Sequence, residues 1–179
     1  MEWHPVTTPE DPDFEPLFRR YQSGFPLHEQ RTREKEEAIL AHPACRTLAL
    51  RERGAFAGLL ALWEGEDFTY VEHFAIQPEL RGSGLGGRVM EKLMGQGKPV
   101  VLEIDPPVDE TARRREGFYR RAGFYPNPWP HIHPPYRPGY TGHQLVVMTG
   151  PEPWSRARWE DFSRFLRETV MADCNTEKK

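Results

Sequence analysis

The chain has 179 residues, a formal net charge of −3, 37% hydrophobic and 12% aromatic residues, enough for one domain with a substantial core. Near-balanced charge excludes a global basic field for nucleic acid, and two cysteines, Cys45 and Cys174, exclude a disulfide framework or a four-cysteine zinc site. The acidic, proline-rich start is unlike a secretory signal and "FAGLLALW" is too short to span a bilayer, so a cytoplasmic protein with no membrane partner is expected.

No internal repeat or long linker divides the chain. Apolar residues at wide intervals in a charged stretch predict one or two amphipathic helices between Phe14 and Ala41, closed by Pro43. "CRTLALRERGAFAGLLALWEGEDFTYVEHFAI" predicts three strands turning at Gly54 and at "EGED", an antiparallel meander. Leu85, Val89 and Leu93, with Met90 and Met94 beside them, mark a helix that ends at "GQGKP". "VVLEID" is a buried strand stopped by Pro106 and Pro107, and "DETARRREGFYRRAG" a basic helix with Gly123 as its C-cap. "FYPNPWPHIHPPYRPGY" is too rich in proline for regular structure and is expected as a shaped loop. A last strand, "HQLVVMTG", precedes an amphipathic helix with Trp159, Phe162, Leu166 and Val170 near one face. The expected division is a domain over 1–150, a C-terminal helix over 151–173 packed on it, and a frayed tail over 174–179. The fold class is α+β, with a central mixed sheet of about six or seven strands flanked by helices.

The chemistry concentrates in "ELRGSGLGGRVM", residues 79–90. Glycines at a helix start let backbone N–H groups close on a phosphate. A Walker A loop is excluded, because no Lys-Ser/Thr pair follows. Gly82, Gly84 and Gly87 match the dinucleotide pattern G-x-G-x-x-G, and Glu103 lies about 20 residues on, where a ribose-binding acid would stand. That pattern needs its first glycine at a strand end, however, and "QPELR" intervenes; no further βαβ units follow. Arg81, Gly84 and Gly86 satisfy a third pattern, Arg/Gln-x-x-Gly-x-Gly/Ala.

With "YVEHFAI" before it, this stretch resembles motif A of the GNAT superfamily of acetyl-CoA-dependent N-acetyltransferases, and "GFYRRAGFYP" resembles motif B. The two stand in the family's order with a strand between them, and the resemblance spans about Cys45 to Met148. It implies a fourth strand splayed from the fifth with acetyl-CoA, as co-substrate, in the opening. The pantetheine arm would pair with the backbone of Phe74, Ala75 and Ile76. The pyrophosphate would sit on the N–H groups of Gly82, Ser83, Gly84, Leu85, Gly86 and Gly87, with Arg81 opening the motif. The asparagine many members carry seven residues before the motif B tyrosine is replaced here by Ala112.

Acyl transfer to an alkyl ammonium of pKa about 10 needs help with deprotonation and a proton for the leaving thiolate. Glu72, at the acidic position of related strands, is the implied base, and Tyr119, at the motif B tyrosine, the implied acid. Strand alternation would turn His73 away from Glu72. Arg113, Arg114 and Arg115 read as a solvated basic face. His131, His133 and His143, interleaved with Trp129, Tyr136 and Tyr140, are expected either to shape an acceptor pocket or to pack rigidly as a loop; H-x-H lacks a carboxylate or cysteine at ligand spacing, so no metal is expected. The implied function is acetyl transfer to a primary amine of a small molecule or a protein, by a monomer or homodimer. A non-catalytic acyl-CoA-binding module is the alternative.

Overall fold

The computed structural model of the protein describes residues 1–174. The sequence pattern does not signal the first strand, β1 (Glu2–Pro5), which pairs antiparallel with β2 (Cys45–Glu52) at the sheet edge, where its terminal proline is tolerated. β2, β3 (Ala55–Glu64) and β4 (Thr69–Ile76) form the expected meander. The chain then crosses through α3 (Leu85–Met94) to β5 (Val100–Ile104), which lies parallel to β4 because a helix intervenes. α4 (Glu110–Arg121) leads to β6 (Tyr125–Pro126), β7 (His131–His133) and β8 (His143–Gly150). The sheet runs β1-β2-β3-β4-β5-β8-β6, with β7 also on β8. Eight strands among the described residues thus exceed the six or seven expected. The surplus comes from β1 and from the proline-rich stretch, which is not wholly irregular. His131–His133 pairs with His143–Leu145, and Pro130 and Pro134, which cannot donate to a ladder, confine the pairing to the three residues between them.

Strand alternation distributes the core over both faces. Leu60 and Leu62 pack with Val89, Met90 and Leu93 of α3 and with Tyr119 of α4. On the other face, Ala49 and Leu59 meet Phe14, Leu17, Phe18 and Tyr21 of α1 (Phe14–Gly24). Trp63, Tyr70 and Val147 on that face are covered by α5 (Arg156–Phe165) and the wider helical turn Leu166–Val170. Phe162, Leu166 and Val170 are buried as their spacing predicts. Cys174, expected in a frayed tail, is instead buried in this cluster; the tail residues 175–179 lie outside the described residues.

The consequential break in the sheet is between β4 and β5. Their register covers only Thr69–Val71 against Val100–Leu102. Beyond it, Glu72–Ile76 and Glu103–Ile104 line a cleft of about 1190 Å³. Gly58 on β3 supports the open half of β4 at very close range: a Cβ there would stand 2.4 Å from the Ala75 carbonyl oxygen and 3.0 Å from Ile76 Cα. Gly58→Val should therefore cost about 1–3 kcal/mol by overpacking. Gly87→Ala, whose Cβ meets nothing within 4 Å, should be neutral; chemical denaturation of the two variants checks the contrast.

Candidate active site

One wall of the cleft is the glycine turn. Gly82 and Gly84 both have φ of 79°, a left-handed conformation costly for other residues, and Gly84 is the N-cap of α3. No side chain caps that helix start, so its N–H groups are offered to the cleft. Arg81, Gly82, Gly84, Leu85, Gly86 and Gly87 line it. Ser83 does not: its hydroxyl donates to the Leu80 carbonyl at 2.7 Å and stabilises the turn. Phe74, Ala75 and Ile76 also line the cleft, and only their β3 side is paired, with Leu60, Leu59 and Gly58. Their other edge is open to a ligand's amides.

Tyr119 enters from α4. Its side chain is buried, its hydroxyl has no hydrogen-bond partner among the described residues, and it lines the same cleft. Burial pushes its pKa up to about 12, with Arg115 opposing, so the phenol is protonated at neutral pH. Ala112 is buried on the same helix. Of the arginines there, Arg114 pairs with Glu110, Arg115 with Asp105 at 2.6 Å, and Arg113 donates to the Val108 carbonyl at 3.1 Å.

Glu72 departs from expectation. The register shifts between Ala61↔His73 and Leu62↔Val71, which leaves Glu72 as the extra residue of a β-bulge. The bulge breaks the alternation that would separate the neighbours: His73 Nδ1 lies 3.8 Å from Glu72 Oε2, and both side chains are enclosed. The Glu72 carboxylate is 0% exposed and already serves three donors, Arg31 Nη1 at 2.6 Å, Trp63 Nε1 at 2.7 Å and the Tyr136 hydroxyl at 3.3 Å. Burial raises its pKa, but Arg31 and the hydrogen bonds outweigh that and hold it below the ordinary value. With these donors in place, the carboxylate that the resemblance makes a base is also an anchor for Arg31. Arg31 is also 0% exposed. It donates to the Val170 carbonyl at 2.7 Å and stacks over the Trp63 and Tyr136 rings at 5.7 and 5.2 Å.

A second buried carboxylate lies on β5. Glu103 accepts from Tyr70 and His131, and His133 Nε2 stands 3.8 Å away. Burial opposes its ionisation, but His133 and His131 bring its pKa down to about 2. Glu103 therefore holds the histidines of β7 in place and is no ribose-binding acid. His133 is stacked on Tyr136, with ring centroids 4.8 Å apart. His28, Glu29 and His143, which also line the cleft, bring ligand atoms within 4.8 Å of one another and could hold a metal; neither histidine of H-x-H belongs to this group. Nothing in "EQRTREKEE" distinguishes Arg31 from its solvated neighbours, and only the tertiary structure reveals it.

This sheet, cleft and glycine turn define a class. Residues 12–124 match the Acetyltransferase (GNAT) family, and the chain belongs to it. It is 29% identical over 110 residues to YjbC of Bacillus subtilis (strain 168), a protein assigned as an acetyltransferase, across 60% of this chain and 55% of that one. The match thus spans little more than half of that relative's length. A Bacteroides thetaiotaomicron protein assigned to the GNAT acetyltransferases superposes with a TM-score of 0.85 at 26% identity, over 99% of this chain and 100% of that one. A GNAT family acetyltransferase from Elizabethkingia anophelis, with acetyl-CoA bound, shares the fold at a TM-score of 0.55 and 14% identity, over 83% of this chain and 95% of that one. Among the described residues no helix is long and apolar enough to cross a membrane.

Two consequences of the buried charges can be measured. Glu72→Gln removes the enclosed partner of the Arg31 cation, leaving the more exposed Asp173 carboxylate 3.4 Å from Nε, and should cost about 3–5 kcal/mol in denaturant unfolding, a loss that alkaline pH does not repair. His73 is held near pKa 4 by burial. Its folded pKa lies below the unfolded value of 6.5, so between those values the unfolded state binds more protons and stability falls as pH falls. His73→Gln should flatten the stability profile between pH 6.5 and 4.

Proposed function

We propose that the protein transfers an acetyl group from acetyl-CoA directly to a primary amine. The observation that carries this reading is the convergence, in one cleft, of the unpaired edge of Phe74–Ile76, the uncapped N-terminus of α3 and the Tyr119 hydroxyl. The β4 edge would hold the pantetheine amides and the α3 N–H groups the pyrophosphate, aided by the helix dipole. The ammonium first loses a proton to water, and the neutral amine nitrogen then attacks the thioester carbonyl and forms the C–N bond. A backbone N–H of β4 receives the oxyanion, the C–S bond breaks, and Tyr119 gives its proton to the departing thiolate. The nitrogen releases its own proton to water, and Tyr119 is reprotonated from solvent. Glu72 acts by positioning: it fixes Arg31, Trp63 and Tyr136 as a rigid wall at the acceptor end. No residue arrangement calls for a covalent enzyme intermediate.

Thiol release from acetyl-CoA across a panel of small amines and peptide N-termini tests the reaction. Tight coenzyme binding with no release for any amine would favour a binding module instead. Tyr119→Phe should lower kcat by about 100-fold, within the range for a general acid, while the Kd for acetyl-CoA changes little. An unchanged kcat would remove Tyr119 from the chemistry.

A further inference from the structure

The residues that line the cleft include a cation outside both sequence motifs. We propose that Arg20, on α1, is a phosphate-binding residue that closes on the pyrophosphate of coenzyme A together with the glycine turn; this rests on the acetyl-CoA reading above.

Arg20 is 6% exposed. Among the described residues no group accepts a hydrogen bond from its guanidinium and no carboxylate lies within ion-pair distance, and its Nε is enclosed without any partner. A buried arginine without an anion is expensive, because burial removes its hydration and nothing replaces it. Arg31, still more deeply buried, shows the ordinary remedy, an ion pair with Glu72. Arg20 has no such remedy within the protein, although it lines the cleft.

Its position says which ligand would supply one. The guanidinium extends over Gly24, with Nη2 only 2.8 Å from where a Cβ on that residue would stand, and the Ala75 methyl is 3.5 Å from the same point. The side chain therefore lies beside the open half of β4, in the cleft that the turn residues Gly82–Gly87 also line. Burial and the charge of Arg81 both depress the Arg20 pKa, with Glu79 a weaker compensation. Arg20 and Arg81 thus bring two positive charges to the cleft that the uncapped α3 N-terminus also lines, and a multiply charged anion would relieve their repulsion. The planar fork of arginine matches phosphate oxygens in pairs. Gly24 keeps that fork free to swing, since any larger residue would press on it.

The test compares wild type and Arg20→Met, which keeps the apolar stem and removes the charge. Kd values are measured at low salt by calorimetry for coenzyme A, dephospho-coenzyme A and pantetheine. The expected result is a loss of about 10- to 100-fold for both phosphorylated ligands, the usual size for charge-assisted hydrogen bonds, with pantetheine unchanged. The Tm of the ligand-free variant should not fall, because no internal partner is lost. Equal weakening of all three ligands, or none, overturns the proposal. Loss for coenzyme A but not for dephospho-coenzyme A would move the contact to the 3′-phosphate and overturn the pyrophosphate assignment. Wild-type protein that binds no coenzyme A would instead defeat the acetyl-CoA reading itself, a separate outcome.

Discussion

The buried Arg31–Glu72 ion pair is the interaction on which the end of the cleft beside Tyr136 depends. Desolvating either charge alone costs several kcal/mol, so the pair is tolerable only with nearly every hydrogen-bonding position filled. The fold fills them from distant parts of the chain. The indole of Trp63 and the hydroxyl of Tyr136 serve Glu72, and the Val170 carbonyl serves Arg31. The Tyr21 hydroxyl accepts from the Arg31 backbone N–H, and Arg137 donates to the Arg31 carbonyl. α1, the meander, the proline-rich segment and the C-terminal helical turn are thereby brought to one point.

The bulge at Glu72 links this anchor to the cleft. One extra residue turns Glu72 and His73 to the same side and coincides with the end of β4–β5 pairing at Val71↔Leu102. Beyond it, Glu72 contributes a side chain to the interior while Phe74–Ile76 contributes unpaired backbone to the opening. The buried ionic cluster and the open strand edge are thus set by neighbouring residues of a single strand. Glu103, the first β5 residue past the pairing, holds the β7 histidines in the same manner. Each strand places one ionised, internally satisfied carboxylate at the point of divergence.

Much of the donor half was legible in sequence because its chemistry is local. The glycines from Gly82 to Gly87 occupy a single turn, and the Leu85–Val89–Leu93 stripe and the Tyr119 helix are periodic patterns that physics reads directly. The acceptor half was not legible, because its polar residues find partners far along the chain. Arg31 and Glu72 are 41 positions apart, and Arg31 and Val170 are 139 apart. In isolation Arg31 is one charge among many, and Glu72 is an acid on a strand whose pattern hides a bulge. β7 is hidden for a related reason: composition argues against a strand where only three residues between prolines need to pair. Arg20 likewise lies in a charged helix and differs from its neighbours only in what surrounds it.

The Val170 carbonyl under Arg31 also bears on the order in which the protein can be built. Everything needed for the glycine turn, the open strand edge and the Tyr119 helix has been synthesised by residue 124. The carbonyl that completes the Arg31 environment, and Leu166 and Met171, which close the cluster around Trp63 and Tyr70, leave the ribosome some fifty residues later. The strand edge, glycine turn and Tyr119 helix that line the cleft thus all precede, in the chain, the segment that caps Arg31. The Arg31–Glu72 pair gains its backbone acceptor only when the helical turn Leu166–Val170 docks.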